Sequence, residues 1–324
     1  MGSKPIVVSS VADLRQAISR QYFHRGPVTD SNSPQSRSEY LRLDVGTPIG
    51  ATPLVSIQIG FVPTMGALHA GHLFLVRKAR AENDIVVVSI FVNPTQFAAN
   101  EDFDRYPRTL EQDLSLLGTE ADIVWVPTVR DVYPGGIQNT TVVSVPGVSQ
   151  GLCARSRPDH FQGVAMVVLR LLNAVSPNRA YFGEKDFQQL RVIQKMVADL
   201  LLPVEVVGCP IVREGSGLAM SSRNAYLTPG SRKKAAAIYQ AMQWGQMQYR
   251  AGATDAQALI QTMVDAFCLA TDPEKKIDYW TIVDADTLSE RTGIVEPTDR
   301  IMVAVFWDGV RLIDNLMVGN YTAK

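Results

Sequence analysis

Residues 57–81 read IQIGFVPTMGALHAGHLFLVRKARA, and this stretch passes from a strand pattern into a helix pattern through a short turn. Ile57–Val62 predicts a strand and Gly71–Ala81 a helix. His69 and His72 lie three residues apart at that junction, so both imidazoles are expected on one face of the first helical turn. The junction also offers free backbone N–H groups and the positive end of a helix dipole, which suit phosphate. The segment therefore predicts an anion site in a nucleotide-handling enzyme.

Strands and helices alternate along most of the chain that follows this turn. Asp84–Val92 is a near-continuous apolar run rich in Val and Ile, typical of a strand buried on both faces of a parallel sheet. Further helix patterns follow at Thr109–Leu117, Gly163–Val175 and Phe187–Leu200, and strand patterns at Ile123–Val126, Arg179–Phe182 and Val204–Cys209. This order predicts an α/β fold, a doubly wound, Rossmann-like parallel sheet that binds ligands at the carboxyl ends of its strands.

The alternation ends near residue 212. Residues 231–270 contain two helical patterns, and 277–318 contain short strands with a hairpin at Trp307-Asp-Gly-Val310, whose Asp-Gly pair is a strong turn signal. A chain of 324 residues also exceeds the usual size of one hydrophobic core. We therefore expect an N-terminal domain over 1–211 and a smaller C-terminal α+β domain over 212–324.

A helix pattern at Val11–Phe23 precedes a segment of different character. Residues 25–53 are crowded with Gly, Pro, Ser, Asn, Asp and Thr, which predicts a surface insertion. A tolerated surface loop is the simpler interpretation of this insertion, and a binding arm is the alternative.

Composition restricts the classes of protein to which the chain can belong. A net charge of −1 provides no broad basic field for nucleic acid or an anionic membrane. No apolar run approaches the roughly 18 residues that span a bilayer. The widely separated Cys153, Cys209 and Cys268 argue against a disulfide framework or a zinc cluster and are expected to be buried thiols. With no secretory signal in the sequence, a cytoplasmic location is expected.

The residues around the two histidines argue against several common types of site. The segment Gly66-Ala-Leu-His-Ala-Gly-His-Leu73 has the glycine spacing of a P-loop, but His72 stands in place of Lys, and Leu73 in place of Ser or Thr. A GxGxxG fingerprint is missing, which argues against a nicotinamide dehydrogenase. With four histidines and no HExxH arrangement, the chain is also a poor candidate for a zinc hydrolase, and no protein-bound metal is predicted.

A second constellation follows Arg213-Glu-Gly-Ser-Gly-Leu-Ala. Met220-Ser-Ser-Arg-Asn224 places the hydroxyls of Ser221 and Ser222 beside the guanidinium of Arg223 on a Gly-flanked loop. These groups suit a mobile phosphate clamp, and an ordinary polar interdomain loop is the alternative.

A third constellation, Gly183-Glu-Lys-Asp-Phe-Gln-Gln189, follows a predicted strand at the expected ligand edge of the sheet. Lys185 can supply a cation to phosphate, and Asp186 can accept a hydrogen bond from a ribose hydroxyl. Gln188 and Gln189 offer neutral amides for a hydroxyl-bearing substrate.

A fourth constellation, Phe91-Val-Asn-Pro-Thr-Gln96, again follows a buried strand, where Asn93 and Gln96 suit binding better than packing. Downstream, Arg157 can pair with a carboxylate, whereas His160 is expected to be structural.

Together these segments resemble the pantothenate synthetase (pantoate–β-alanine ligase) family, within the nucleotidyltransferase superfamily that carries HxGH-type and KMSKS-type signatures. HxGH alone indicates only the superfamily, whereas GEKDFQQL together with AMSSRN is specific. The resemblance covers residues 56–230 densely and the C-terminal domain thinly. The matching stretches are FVPTMGALHAGH (61–72), SIFVNPTQF (89–97), DRYPRT (104–109), RPDHFQGV (157–164), FGEKDFQQL (182–190), VREGSGLAMSSRN (212–224) and RLIDN (311–315).

The resemblance implies ATP-dependent condensation of pantoate with β-alanine through a pantoyl adenylate, giving pantothenate, AMP and pyrophosphate. His69, His72, Lys185 and the Ser221-Ser222-Arg223 loop would stabilise the charge that grows on the α-phosphate and its leaving group, with Mg²⁺ neutralising the triphosphate. The resemblance also implies a homodimer formed through the N-terminal domain, and a C-terminal domain that acts as a lid.

Binding roles are likewise implied by the resemblance, residue by residue. Pantoate would meet two side-chain amides, those of Gln96 and Gln189. Ribose would meet Gly183 and Asp186, and the rest of the nucleotide site would be lined by Pro63, Met65 and Met220. Supporting positions around the substrate would be Asn93, Tyr106 and Arg157.

The chain departs from the family pattern at two places, since the 25–53 insertion resembles eukaryotic members and Phe187 stands where many members carry Tyr. Two other functions stay open. Another adenylyl- or cytidylyltransferase of the superfamily would release pyrophosphate without needing β-alanine. A non-catalytic nucleotide sensor would use the insertion as a docking arm.

Overall fold

A computed structural model describes residues 4–25, 57–98, 101–271 and 276–319. Its strands are β1 (Ile6–Val8), β2 (Ile59–Thr64), β3 (Ile85–Ile90), β4 (Ile123–Trp125), β5 (Arg179–Gly183), β6 (Glu205–Cys209), β7 (Lys276–Val283), β8 (Arg300–Trp307) and β9 (Val310–Met317). Its helices are α1 (Val11–Arg25), α2 (Ala70–Glu82), α3 (Leu110–Leu117), α4 (Val129–Val132), α5 (Cys153–Ser156), α6 (His160–Val175), α7 (Phe187–Asp199), α8 (Pro229–Lys234), α9 (Ala237–Arg250) and α10 (Ala256–Ala270).

The helices and strands predicted by residue range from the sequence are present, with ends displaced by at most three residues. Sequence reasoning missed the short elements β1, α4, α5 and α8, which contain three to six residues each. Segments of that length carry too few residues for a periodic pattern to be visible.

The six N-terminal strands form one sheet in the order β1-β4-β3-β2-β5-β6, and every pair in it is parallel. From β2 the chain continues outward to β3 and β4 on one side, while β5 and β6 lie on the other. This confirms the predicted doubly wound sheet. The crevice at the carboxyl ends of β2 and β5 is where such a topology binds its ligands.

Hydrophobic residues cover both faces of this sheet. All six residues of β3 are buried. Neighbouring residues of β2 enter different cores, since Phe61 packs in the cluster that contains Val164 of α6, and Val62 in the cluster that contains Val76 of α2. Alternate side chains of a strand point to opposite faces, so helices lie on both sides of the sheet, as its apolar strands predicted.

The C-terminal part contains α8, α9, α10 and an antiparallel sheet in the order β7-β8-β9. Asp308 and Gly309 turn the β8–β9 hairpin with φ values of 50° and 78°, which explains the Asp-Gly signal. One face of the sheet, including Val303, packs on α9 and α10, while the opposite face, including Met302, joins the N-terminal core.

Most of the predicted 25–53 insertion, residues 26–53, lies outside the described residues. The prediction of buried cysteines is right for Cys153 and Cys209 but wrong for Cys268, which is exposed. Its neighbour Phe267 occupies the inner face of α10, so the next residue turns towards solvent. Within the described ranges no helix is both long and apolar enough to cross a membrane.

Candidate active site

His69 and His72 meet at the N-terminus of α2, with their ring centroids 4.1 Å apart. Nδ1 of His69 accepts a hydrogen bond from the backbone N–H of Gly71 at 3.1 Å, and Nδ1 of His72 accepts one from the backbone N–H of His69 at 3.4 Å. Because each Nδ1 is an acceptor, the proton of each neutral ring belongs on Nε2. The capping hydrogen bonds thus leave the Nε2–H group of each ring as the donor available to a ligand.

Burial keeps both imidazoles neutral. It lowers the pKa of His69 to about 4, and the positive charge of Lys185 acts in the same direction. It lowers the pKa of His72 to about 3, reinforced by His69 and Lys185. The pair therefore supplies hydrogen-bond donors rather than positive charge near pH 7, and the positive charge of the site comes from other side chains such as Lys185 and Arg223.

The glycine between the histidines is required by the position of the first ring. A Cβ atom on Gly71 would lie 2.9 Å from both Cε1 and Nδ1 of His69. That distance is too short for any larger residue, so a side chain here would displace the ring.

A buried carboxylate supports the turn before the histidines. Asp113 of α3 is 1% exposed and accepts hydrogen bonds from the backbone N–H groups of Ala67 at 3.0 Å and Leu68 at 2.8 Å. Gly66 adopts a φ of 82° in the same turn. Sequence reasoning missed Asp113, because nothing in its local pattern distinguishes it from a solvated residue of an amphipathic helix.

Lys185 lies in a single 3₁₀ turn, Glu184–Asp186, between β5 and α7. Its Nζ is 3.7 Å from Oδ1 of Asp186. The preceding Glu184 accepts hydrogen bonds from Arg300 of β8 at 3.1 Å. A residue of the C-terminal sheet, Arg300, therefore helps to hold this turn in place.

The two glutamines that begin α7 have different environments. Gln189 lines the cavity between the strand ends. Gln188 is 2% exposed, accepts from the backbone N–H of Cys153 at 3.1 Å and donates to the carbonyl oxygen of Val148 at 3.2 Å. The expectation that Gln188 meets the substrate is wrong, because consecutive helical residues point in different directions and this one faces the core.

The 221–223 loop contacts the N-terminal domain through Ser222 and Arg223. Ser222 Oγ donates to the carbonyl oxygen of Ala67 at 3.1 Å, which joins the loop to the turn before His69. Arg223 donates through Nε and Nη2 to both carboxylate oxygens of Asp102, at 2.9 and 2.7 Å. Burial raises the pKa of Asp102, but the hydrogen bonds and charge of Arg223 outweigh burial and keep the pKa below its ordinary value.

Asn93 is a buried support behind Gln96. It is 1% exposed, its Oδ1 accepts from the hydroxyl of Tyr133 at 2.9 Å, and its Nδ2 lies 3.3 Å from Oε1 of Gln96. A Cβ atom on Gly163 would lie 2.1 Å from the carbonyl oxygen of Thr95, so a glycine is required for α6 to approach this turn.

Arg157 and His160 hold the backbone of Gln96. Arg157 Nη2 donates to the carbonyl oxygen of Gln96 at 3.1 Å and to Glu101 at 2.7 Å. Nδ1 of His160 donates to the same carbonyl at 2.8 Å, and its Nε2 accepts from Arg157 at 3.1 Å. Burial and the charge of Arg157 lower the pKa of His160 to about 4. His160 is structural, as expected, but it also lines the cavity.

These groups surround a cavity of about 240 Å³ at the carboxyl ends of β2 and β5. Apart from Gln188, the site residues selected from the sequence all line it: Pro63, Met65, His69, His72, Asn93, Gln96, Tyr106, Arg157, Gly183, Lys185, Asp186, Gln189, Met220, Ser221, Ser222 and Arg223. The structure thus brings residues from widely separated parts of the sequence to one place. Among the described residues, no group of three or more His, Cys, Asp or Glu side chains is arranged to hold a metal ion.

Comparison with known proteins gives a consistent result. The family model for pantoate-beta-alanine ligase matches residues 51–317. The pantothenate synthetase of Thermotoga neapolitana is 53% identical over 265 residues, 81% of this chain and 92% of that protein. The crystal structure of pantothenate synthetase from Thermus thermophilus has a TM-score of 0.80 at 42% identity, covering 97% of this chain and 100% of that one. A pantoate-beta-alanine ligase from Francisella tularensis, complexed with beta-gamma ATP and beta-alanine, has a TM-score of 0.68 at 31% identity, covering 97% and 98%.

Proposed function

Since this chain belongs to the pantoate-beta-alanine ligase family, we propose that the cavity described above is where it carries out the family reaction. The chain catalyses ATP-dependent condensation of pantoate with β-alanine through a pantoyl adenylate, releasing AMP and pyrophosphate. The observation that carries the assignment to this cavity is the convergence on it of two Nε2–H donors, Lys185 and the 221–223 loop.

In the first step a carboxylate oxygen of pantoate attacks the α-phosphorus, and the bond from that phosphorus to pyrophosphate breaks. Negative charge grows on the phosphate and on the leaving group. His69 and His72 donate hydrogen bonds through Nε2 as neutral rings, and Lys185 adds a positive charge. Positioning and electrostatics supply most of the acceleration, since the enzyme forms no covalent bond to the substrate.

The 221–223 loop completes the phosphate site. Asp102 occupies Nε and Nη2 of Arg223, which leaves Nη1, among the described contacts, for a phosphate oxygen. Ser221 Oγ accepts from the backbone N–H of Arg223 at 3.3 Å, so its hydroxyl proton remains for the ligand. Ser222 ties the loop to the turn that precedes His69.

The nucleoside lies beside the phosphate site, because Asp186 adjoins Lys185. Asp186 accepts from a ribose hydroxyl, and the backbone of Gly183 approaches the sugar. The pocket for adenine and the adjoining part of the nucleotide is lined by Pro63, Met65 and Met220.

Pantoate lies beside the amides of Gln96 and Gln189. Nε2 of Gln96 contacts Sδ of Met65 at 2.8 Å, and this contact limits the rotation of the side chain. Asn93 and Arg157 act by holding Gln96, through its side chain and its carbonyl respectively. Tyr106, which is 5% exposed, closes the same wall.

In the second step the amine of β-alanine attacks the acyl carbon of the adenylate. The carbon–oxygen bond to AMP breaks, the amine loses a proton, and an amide forms. The groups that stabilised the α-phosphate in the first step now stabilise the departing phosphate of AMP.

Mg²⁺ is proposed as an ion that enters with the triphosphate and neutralises part of its charge. This suits the cavity, because its lining, among the described residues, offers no carboxylate besides Asp186, which is assigned to the ribose, and Mg²⁺ can be held largely by substrate phosphates and water. Titration calorimetry with Mg²⁺ alone should show no tight binding, whereas ATP affinity should rise when Mg²⁺ is added.

We also propose a domain organisation and an oligomeric state for the chain. Residues 1–211 bind nucleotide and pantoate, and 212–324 form a smaller domain that covers the phosphate site as a lid. A cytoplasmic homodimer formed through the N-terminal domain follows from the family resemblance, and sedimentation equilibrium tests the dimer.

One experiment separates this reaction from its alternatives. ATP–pyrophosphate exchange should require pantoate, and net release of AMP should require the further addition of β-alanine. Exchange without pantoate, or no response to β-alanine, would indicate a different nucleotidyltransferase. ATP binding without either reaction would indicate a nucleotide sensor.

A further inference from the structure

A side chain from the C-terminal sheet forms hydrogen bonds to the turn that carries Lys185. Asn315 of β9 is 1% exposed. Its Nδ2 donates to the carbonyl oxygens of two consecutive residues, Glu184 at 2.8 Å and Lys185 at 3.0 Å. One amide group thus fixes the backbone on both sides of the Cα atom of Lys185.

Arg300 of β8 fixes the orientation of that amide. Its Nη1 donates to Oδ1 of Asn315 at 2.8 Å, so Nδ2 is the end that faces the two carbonyls. Both terminal nitrogens of Arg300 also lie 3.1 Å from Glu184, and the guanidinium lies 3.9 Å above the ring of Phe187. Asn315 and Arg300 therefore form a clamp around the 184–187 segment.

Asn315 belongs to the segment RLIDN (311–315), which contributes no residue to the active-site cavity, so Asn315 acts on the substrate only through other residues. We propose that Asn315 is a positioning residue for adenylation, holding Lys185 at the phosphate through the carbonyls of Glu184 and Lys185. The inference rests on the proposed role of Lys185.

The physical reason is the sensitivity of a preorganised charge to its position. A long lysine side chain is flexible, so the place that its Nζ reaches is set largely by its backbone. A displacement of about 1 Å at a reacting group can cost roughly 100-fold in rate.

The neighbour Asp314 points to the other face of β9, where it pairs with Arg213 at 2.5 and 2.9 Å at the base of the 213–223 loop. Strand β9 therefore holds both phosphate-binding loops.

The test compares Asn315→Ala with Gln246→Ala. Gln246 is a matched control because its Nε2 also donates to two backbone carbonyls near the end of β9, those of Met317 at 2.9 Å and Gly319 at 3.2 Å, without touching the Lys185 turn. The readouts are the single-turnover rate of pantoyl adenylate formation and, separately, the rate at which β-alanine attacks preformed adenylate. Asn315→Ala should slow adenylation about tenfold or more. Aminolysis should slow as well, because Lys185 also faces the departing phosphate of AMP in that step. Gln246→Ala should change neither rate.

The same substitution is then made in a Lys185→Ala background. If Asn315 acts through Lys185, Asn315→Ala should slow adenylation by less than about twofold there, because the group it positions is already gone. An equal slowing in both backgrounds, or an equal effect of Gln246→Ala, overturns the inference. If Lys185→Ala alone leaves adenylation unchanged, the proposed role of Lys185 fails instead. Should Asn315→Ala not fold, Asn315→Asp keeps the shape, removes the two donors and is judged by the same outcomes.

Discussion

The imidazole rings of His69 and His72 are in contact at the start of α2, with centroids 4.1 Å apart. Each ring accepts a hydrogen bond from a backbone N–H group through its Nδ1. Protonation of either ring would place a proton on an atom that already accepts one, beside a second imidazole and Lys185. Burial and these neighbours hold the pKa values at about 4 for His69 and about 3 for His72. The pair is therefore a fixed set of neutral donors.

The first prediction concerns pH. Because both pKa values are lowered, the rings are in their working form above about pH 5 and lose it only as pH falls through about 4 and 3. The rate of pantoate-dependent ATP–pyrophosphate exchange should show no inflection from these rings near the ordinary histidine pKa of about 6.5. An inflection near that value in the wild-type chain that disappears in His72→Asn would contradict the neutral-donor assignment.

The second prediction is that Gly71→Ala separates activity from stability. The new Cβ would lie 2.9 Å from the His69 ring, which can move because it is a side chain, and alanine favours a helix by roughly 1 kcal/mol over glycine. We expect exchange to fall about tenfold or more, since one donor loses its position, while the melting temperature changes little. Gly230→Ala is the control, because no atom lies within 4 Å of its added Cβ. Unchanged exchange in Gly71→Ala would show that the ring position is unimportant.

The fold was predictable wherever the chain is periodic over a long enough stretch. The apolar run of β3 and the amphipathic pattern of α7 gave their elements within two residues. The doubly wound class followed from the alternation of strands and helices, whereas the order of the strands in the sheet was not predicted. β1 was not predictable, since three residues hold no period and this strand is defined by its pairing with β4.

The candidate site was predictable where function requires an unusual residue at a strand end, as at His69 and Lys185. The residues that hold the site in place were not predictable. Asp113, Asp102 and Asn315 are polar residues, and the site segments that they support lie 45 or more positions away, so only the folded chain reveals what they hold. Gln188 and Gln189 illustrate the same limit, because the sequence offers two amides and the helix phase decides which one faces the cavity.

The third prediction is that Lys185→Ala slows adenylate formation by about 100-fold or more, as expected when one preorganised charge is removed from a transition state. Single-turnover formation of pantoyl adenylate measures this directly. Lys195→Ala, which removes a surface lysine paired with Asp199 at 2.8 Å, is the control and should have no effect. A loss of less than about threefold would remove Lys185 from its proposed role.

The fourth prediction is that Gln189→Ala raises the KM for pantoate about fivefold and changes kcat little, because one neutral hydrogen bond contributes roughly 1 kcal/mol to ground state and transition state alike. Steady-state kinetics with varied pantoate at saturating ATP measure both parameters. Gln261→Ala, on the outer face of α10, is the control. A fall in kcat without a change in KM would instead place Gln189 against the transition state.

The fifth prediction concerns proton uptake on unfolding. His160 has its pKa lowered to about 4 by burial and by Arg157, whereas the unfolded chain should titrate near the ordinary value of about 6.5. The stability that this neutral ring contributes is therefore fully present above about pH 6.5 and is lost as pH falls towards 4, because the unfolded state binds the extra proton in that window. At about pH 5 the wild-type chain should take up about one more proton on unfolding in urea than His160→Gln does, as measured by difference potentiometry. Equal uptake by the two chains at that pH, with the difference appearing only above pH 6.5, would mean that His160 is protonated in the folded protein and that its Nε2 does not accept from Arg157.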